Sequence, residues 1–300
     1  MSIGSVWSRF FGRNDEPVDT IALMANDDIE NPPSLSVLFP GPVKIDATAL
    51  GQRLRKYHPS MRSARADLAA DAPQVFGLVG WGKHVVQLVS FDAPYPSESL
   101  ERCVAPAHYS QEIKQQVRQH QSNVILYYAG FDEDPLERYV ALAAVAGCLA
   151  DEAGGVAVLN EHAHTSLPSG IFSAEELGEE SLEVLRTLPL TMLYCGFVKY
   201  DVEGTQGVWM RTYGADVFGL PDFAVLAEGH HQGQQYSGMF DNILNYLRES
   251  GAEMGAGHTM QIGETSYMRL RDPKPEEYFL DGPGKVYVAE IIGADEINQG

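Results

Sequence analysis

The chain has 300 residues, 44% hydrophobic and 21% charged, with a formal net charge of −20. That composition suits a packed core rather than a disordered chain, and it allows one large domain or two modest ones. The charge disfavours nucleic acid and anionic membrane surfaces and favours a basic protein partner or a cationic ligand.

In chain order, Ile3, Val6, Trp7, Phe10 and Phe11 recur at helical spacing, with Arg9 and Arg13 beside them. This predicts a short amphipathic helix over 1–13, read as a docking peptide, a membrane-surface peptide or a helix packed on its own domain. Residues 14–33 are acidic and end in Asn31-Pro32-Pro33, which reads as a linker. A strand is expected at 35–39, then a helix capped by Asp46 or Thr48 and stopped before Pro59. Residues 60–72 are polar and alanine-rich. Segments 75–79 and 85–91 read as a hairpin around Trp81-Gly82-Lys83. Ser97 opens a helical region, interrupted near Pro106, that reaches His120, and a buried strand follows at 123–129. The order β-α-β-β-α-β is that of a ferredoxin-like unit, a sheet with its helices on one face.

Asp134-Pro135 opens a helix through Ala153 that Gly154-Gly155 closes, with Leu136, Tyr139, Val140, Ala143 and Leu149 on its apolar face. A strand at 156–159 precedes a loop with an acidic helical stretch over 165–188. A hairpin is expected from 190–200 and 208–213, then a short strand at 223–227. An amphipathic helix over 234–249 turns Met239, Ile243, Leu244 and Leu247 inward and ends at Gly251. Strands at 259–262, 267–270 and 286–292 complete the chain. The expected fold class is α+β, a ferredoxin-like βαββαβ first half followed by a second mixed α/β half, a diverged repeat in form without repeated residues. The expected organisation is 1–33 as amphipathic segment and linker, 34–160 as the first half and 161–300 as the second.

Cys103, Cys148 and Cys195 are odd in number, far apart and without a C-x-x-C pair, which fits free thiols in a reducing cytoplasm. No signal peptide is expected, and the longest apolar run, 139–150, is too short for a transmembrane segment.

Four stretches carry a family resemblance. They are Arg118-Gln119-His120 before its strand and the Asp134-led helix, and Leu188-Pro189-Leu190. The others are Met210-Arg211-Thr212-Tyr213-Gly214 followed by Phe218-Gly219-Leu220-Pro221-Asp222, and Gly257-His258-Thr259. Together they resemble the bacterial family called domain of unknown function 4261, over about residues 34–272 and most clearly from 188 to 262. His258 stands where that family often has an acidic residue. The resemblance implies a backbone pattern and, from its genomic surroundings near secretion or toxin-defence genes, an interaction role; it implies no reaction and no cofactor.

Gly77 to Lys83 matches G-x-x-x-x-G-K, but His84 replaces the Ser or Thr that would hold magnesium, and alternation after it reads as a strand. Glu161, His162 and His164 form the compact ligand-like cluster. On an extended segment both imidazoles would face one side and could share a metal, with a third ligand from His230, His231 or His258. The pair His230-His231 lies in a glycine-rich loop that reads as a ligand-binding lip or a helix approach. Arg211 is expected to pair with Asp216 or Asp222, or to hold an anionic ligand, and Gly214 and Gly219 to turn the chain. Glu175, Glu176, Glu179 and Glu180 read as a solvated face. No G-x-S-x-G elbow and no G-x-G-x-x-G fingerprint is present; Ser166, Ser169 and Ser266 read as loop serines.

No catalytic residue is assigned. The expected function is a cytoplasmic, non-enzymatic interaction protein, immunity-like or a secretion-system accessory, with a basic partner; the alternative is a metal-dependent hydrolase built on His162 and His164.

Overall fold

The computed structural model describes residues 23–69 and 76–296. The expected helix at 1–13, the linker as far as residue 22, and Val75 lie outside the described residues.

β1 (Ser34–Phe39) is apolar on both faces: Leu35, Val37 and Phe39 point one way and Leu38 the other, all buried. A strand greasy on both sides needs neighbours and cover on both sides. It lies between β5 (Ser122–Tyr128) and β6 (Ala157–Asn160), antiparallel to each. The full sheet also takes β2 (Arg65–Leu68), β3 (Phe76–Trp81), β4 (His84–Phe91) and β7 (Thr165–Pro168), in the order β2-β3-β4-β5-β1-β6-β7, antiparallel throughout. A two-residue turn, Gly82 (φ 53°) and Lys83, joins β3 to β4, so the lysine of the apparent phosphate loop sits at a hairpin tip.

Helices cover both faces of this sheet. On one lies α1 (Ala47–Tyr57), started by Asp46, which accepts from Ala49 N–H at 2.8 Å. On the other lie α2 (Ser97–Val104) and α3 (Gln111–Arg118); Leu100, Val104 and Val117 pack there with Leu38 and Leu159. The ferredoxin-like expectation is corrected on two points. Its helices would share one face, and its first strand would lie between the strands here numbered β4 and β5. Instead β5 lies between β4 and β1, and α2 and α3 pack on the face opposite α1, where the apolar rear of β1 presents Leu38.

α4 (Pro135–Ala153) is capped by Asp134, which accepts from Leu136 N–H, and ended by Gly154 at φ 74°. The sequence suggested one apolar face; residues Leu136 and 139–150 are all buried, right round the helix. A helix apolar all round belongs in the interior. α4 backs the first sheet and also meets Tyr194 and Phe218 of the second half through Tyr139.

After β7 come the short helices α5 (Ala174–Leu177), α6 (Ser181–Thr187) and α7 (Leu190–Leu193). The expected strand at 190–200 is therefore a helical turn followed by β8 (Gly196–Tyr200). Pro189 precedes that turn and Asp241 accepts from Thr191 N–H at 3.1 Å, which favours helix over strand in a short apolar run.

The second sheet has the order β11-β12-β13-β10-β9-β8. It uses β9 (Val208–Tyr213), β10 (Asp222–Ala227), β11 (Thr259–Gln261), β12 (Ser266–Arg271) and β13 (Val286–Gly293). β10 and β13 run parallel and the other pairs antiparallel, so the two sheets differ in direction pattern as well as in strand number. α8 (Gly233–Ser250) lays Tyr236, Phe240, Ile243, Leu244 and Leu247 on this sheet and stops at Gly251 (φ 66°). Phe279 and Leu280 cover Trp209, Ala224 and Val288 on its other face. One core cluster runs through both sheets, and the expected division between residues 160 and 161 falls inside the turn of the β6–β7 hairpin. No described helix is long and apolar enough to cross a membrane.

Candidate functional site

The β6–β7 turn carries Glu161, His162, Ala163 and His164, and it is a turn, not the extended segment expected. Buried Asn160 shapes it: its Oδ1 accepts from Ala163 N–H at 3.2 Å and its amide donates to Leu193 O at 3.0 Å. His164 adopts φ 54°, a left-handed backbone that side chains rarely take. The turn is pressed onto the second sheet. A Cβ on Gly196 would lie 1.6 Å from the Ala163 carbonyl oxygen, so the approach needs glycine there. Gly196 and Tyr213 are register partners, and Gly214 (φ 87°) continues the same wall.

This docking sends the two imidazoles to different partners. His162 Nε2 donates to Asp216 Oδ1 at 2.8 Å, joining the turn to the 3₁₀ segment Ala215–Phe218. That bond raises the His162 pKa above its ordinary value; burial pushes Asp216 up, but the bond and charge of His162 together with backbone N–H groups bring it below the usual carboxylate range. His164 lies over Tyr213 with ring centroids 4.2 Å apart. Burial, with Arg102 and Arg211 near, lowers it to about 4, so it is neutral at neutral pH. Glu161 turns away again, accepting from Tyr95 O–H at 2.5 Å and facing Arg102 at 3.5 Å. Among the described residues no group of three or more His, Cys, Asp or Glu is placed to hold a metal ion.

Behind the turn, Arg211 is fully buried. Its guanidinium stacks on Tyr213, 3.8 Å from the ring centroid, donates to Leu280 O and faces Asp222 at 3.8 Å. Of the readings weighed for Arg211, the pairing with Asp222 is the one present. Asp222 accepts from Thr212 O–H at 2.8 Å and from Ala215 N–H at 3.3 Å, and burial raises its pKa despite them. One nitrogen of Arg211 and one oxygen of Asp222 are left without a hydrogen bond. The loop over this pair contains Gly282 and Gly284, where side chains would run into Arg211 and Asp216.

The remaining candidates lie elsewhere. His258 is exposed in the turn before β11, and His230 and His231 do not join the β6–β7 turn. They line an open cleft of 630 Å³ with His108, Lys199, Thr191, Phe197, Ser237 and Asp241. Sequence reasoning missed His108 and Lys199, which are distant in the chain and carry no local motif; only the fold joins them. The three cysteines are free and buried, with their thiols pushed up by burial, Cys103 to about 12. That leaves no thiolate for attack at neutral pH.

Residues 211–290 match the family model described as domain of unknown function (DUF4261). This span contains Arg211, Asp216 and Asp222 and begins after the β6–β7 turn that meets them. No curated protein and no solved structure matches the chain.

Proposed function

We propose that this chain is a cytoplasmic, non-enzymatic interaction protein, immunity-like or a secretion-system accessory, that captures a basic protein partner through its acidic exterior. The observation that carries this reading is the disposition of charge. The net charge is −20, and Glu175, Glu176, Glu179 and Glu180 are all exposed around α5. An acidic surface speeds encounter with a basic partner and rejects acidic ones. The residues able to do chemistry add support, since His162, His164, Arg211 and the cysteines are engaged in scaffold contacts. A metal-dependent hydrolase on His162 and His164 is left without a third ligand among the described residues.

The test is association of the purified chain with basic proteins at low ionic strength. Binding is expected to weaken with added salt and to slow when the four glutamates become glutamine. Absence of any association, or association indifferent to both changes, removes the proposal. Stoichiometric zinc in the purified protein, lost in His164→Ala, would move the balance to the hydrolase.

A further inference from the structure

The cleft at the start of α8 is built from three separate parts of the chain. His108 comes from the α2–α3 connection, Lys199 from β8, and His230 and His231 from the β10–α8 connection. Among the described residues the Lys199 ammonium has no hydrogen bond and no ion pair. It packs close to Gly233, where a Cβ would meet its Nζ at 2.7 Å. In a chain of net charge −20, this leaves an ammonium without an ion-paired carboxylate in a concave site.

Among the described residues none of the acidic groups nearby makes an ion pair with it. Asp241 is turned to Thr191, accepting from its N–H and O–H at 3.1 and 3.3 Å, and it also takes the Asn245 amide at 3.2 Å. Asp201 faces His230 at 3.3 Å from a largely exposed position, and Glu228 is exposed. On the other side Lys114 donates to Ala105 O, and the carboxylate near it, Glu101, is held by Arg118 at 2.7 Å. Burial first, and then the charges of Lys199 and Lys114, lower the His108 pKa and favour its neutral form. Phe197 and Pro189 supply an apolar wall, while Ser237 and Thr191 add hydroxyls. The volume falls in the range of roughly 300–1,000 Å³ common for small-molecule sites.

We infer that this cleft binds a small oxyanion-bearing ligand, a phosphate or carboxylate, with Lys199 as the fixed charge and His108, His230 and His231 as donors around it. The site is separate from the acidic exterior and does not depend on a protein partner. An anion placed there would supply the counter-charge that Lys199 lacks, and it would favour protonation of His108.

The probe is inorganic phosphate, with acetate as a second arm and chloride at matched ionic strength as the control, followed through the imidazole NMR signals. Phosphate or acetate is expected to move His108 and His231 and to raise the His108 titration, with chloride doing neither. Lys199→Met should weaken binding roughly tenfold or more, the scale of a lost charge-assisted hydrogen bond. Gly233→Ala keeps every charge but displaces the Lys199 head, and a severalfold loss is expected. Stronger response to phosphate than to acetate assigns a phosphoryl ligand, and the reverse a carboxylate. Shifts equal in chloride, no response from His108, or unchanged affinity in both variants would overturn the inference.

Discussion

Two regions of this protein gather histidines, and they treat them in opposite ways. At the β6–β7 turn each imidazole has a partner in the second half: His162 bonds Asp216 of the 3₁₀ segment and His164 stacks on Tyr213 of β9. In the cleft by α8, His230 faces exposed Asp201, while His108 and His231 stand beside a lysine whose ammonium has no hydrogen bond or ion pair among the described residues. The first region spends its polar groups on joining two sheets. The second leaves positive charge facing open space. Closeness in sequence therefore marks the structural cluster here, and closeness in space marks the binding candidate. The contrast makes separable predictions, because damage to the junction should cost stability and damage to the cleft should cost only ligand.

The largest effect is expected behind the junction. Asp222→Ala removes the carboxylate facing buried Arg211 and the acceptor for Thr212 and Ala215 N–H. Leaving a guanidinium buried and unpaired costs about 3–5 kcal/mol. Urea unfolding should show that loss as a lower midpoint. Gly196→Ala comes next. Its Cβ would lie 1.6 Å from a backbone oxygen, which cannot rotate aside. Overpacking of this kind costs about 1–3 kcal/mol, and the upper end is expected. The same variant should lose the elevated titration of His162. A Gly196→Ala protein with wild-type stability and an undisturbed His162 would mean that the turn does not dock as described.

Smaller effects follow from the opposite titrations of the two junction histidines. His164 is held at about 4, below the ordinary 6.5, so the unfolded chain binds its proton first as pH falls. Stability from this residue is full above pH 6.5 and falls as pH drops toward 4. His164→Asn tolerates the left-handed backbone and should flatten that slope. His162 has the other sign. Its folded-state pKa is raised, so its contribution is full below the ordinary value and is lost as pH rises through the folded one. The pair is partly exposed and screened, and His162→Ala should cost about 0.5–1 kcal/mol in mild acid and less in alkali. Unfolding midpoints across pH, compared between the two variants, check both signs at once.

Much of the scaffold was legible from residues that act locally. Asp46 and Asp134 cap their helices, Gly154 and Gly251 end theirs, and Gly82 turns the β3–β4 hairpin as spacing implied. Pairing was not legible. The elements were read as βαββαβ, yet β2 adds a strand after α1 and β5 lies between β4 and β1; nothing in a strand's own sequence names its neighbour. β2 and β7 were missed as four-residue segments too short for alternation to show. At the site, His162, Arg211, Asp216 and Asp222 were picked out as residue types, and Arg211 with Asp222 was among the pairings weighed. The bond from His162 to Asp216 spans 54 positions, and Lys199 meets His108 only because the two sheets pack together.

His258 gives the comparison its sharpest control. It was grouped with the other histidines as a third metal ligand, but it stands exposed in a turn set by Gly257 at φ 87°. Its backbone supports that turn, donating to Gly255 O at 3.0 Å and accepting from Leu270 N–H at 2.9 Å, and neither bond uses the imidazole. His258→Ala should therefore change stability by less than about 0.5 kcal/mol. It should leave phosphate titration of His108 unaltered as well. A large change in either quantity would show that this imidazole acts at the junction or in the cleft, and the separation of histidines by partner would no longer hold.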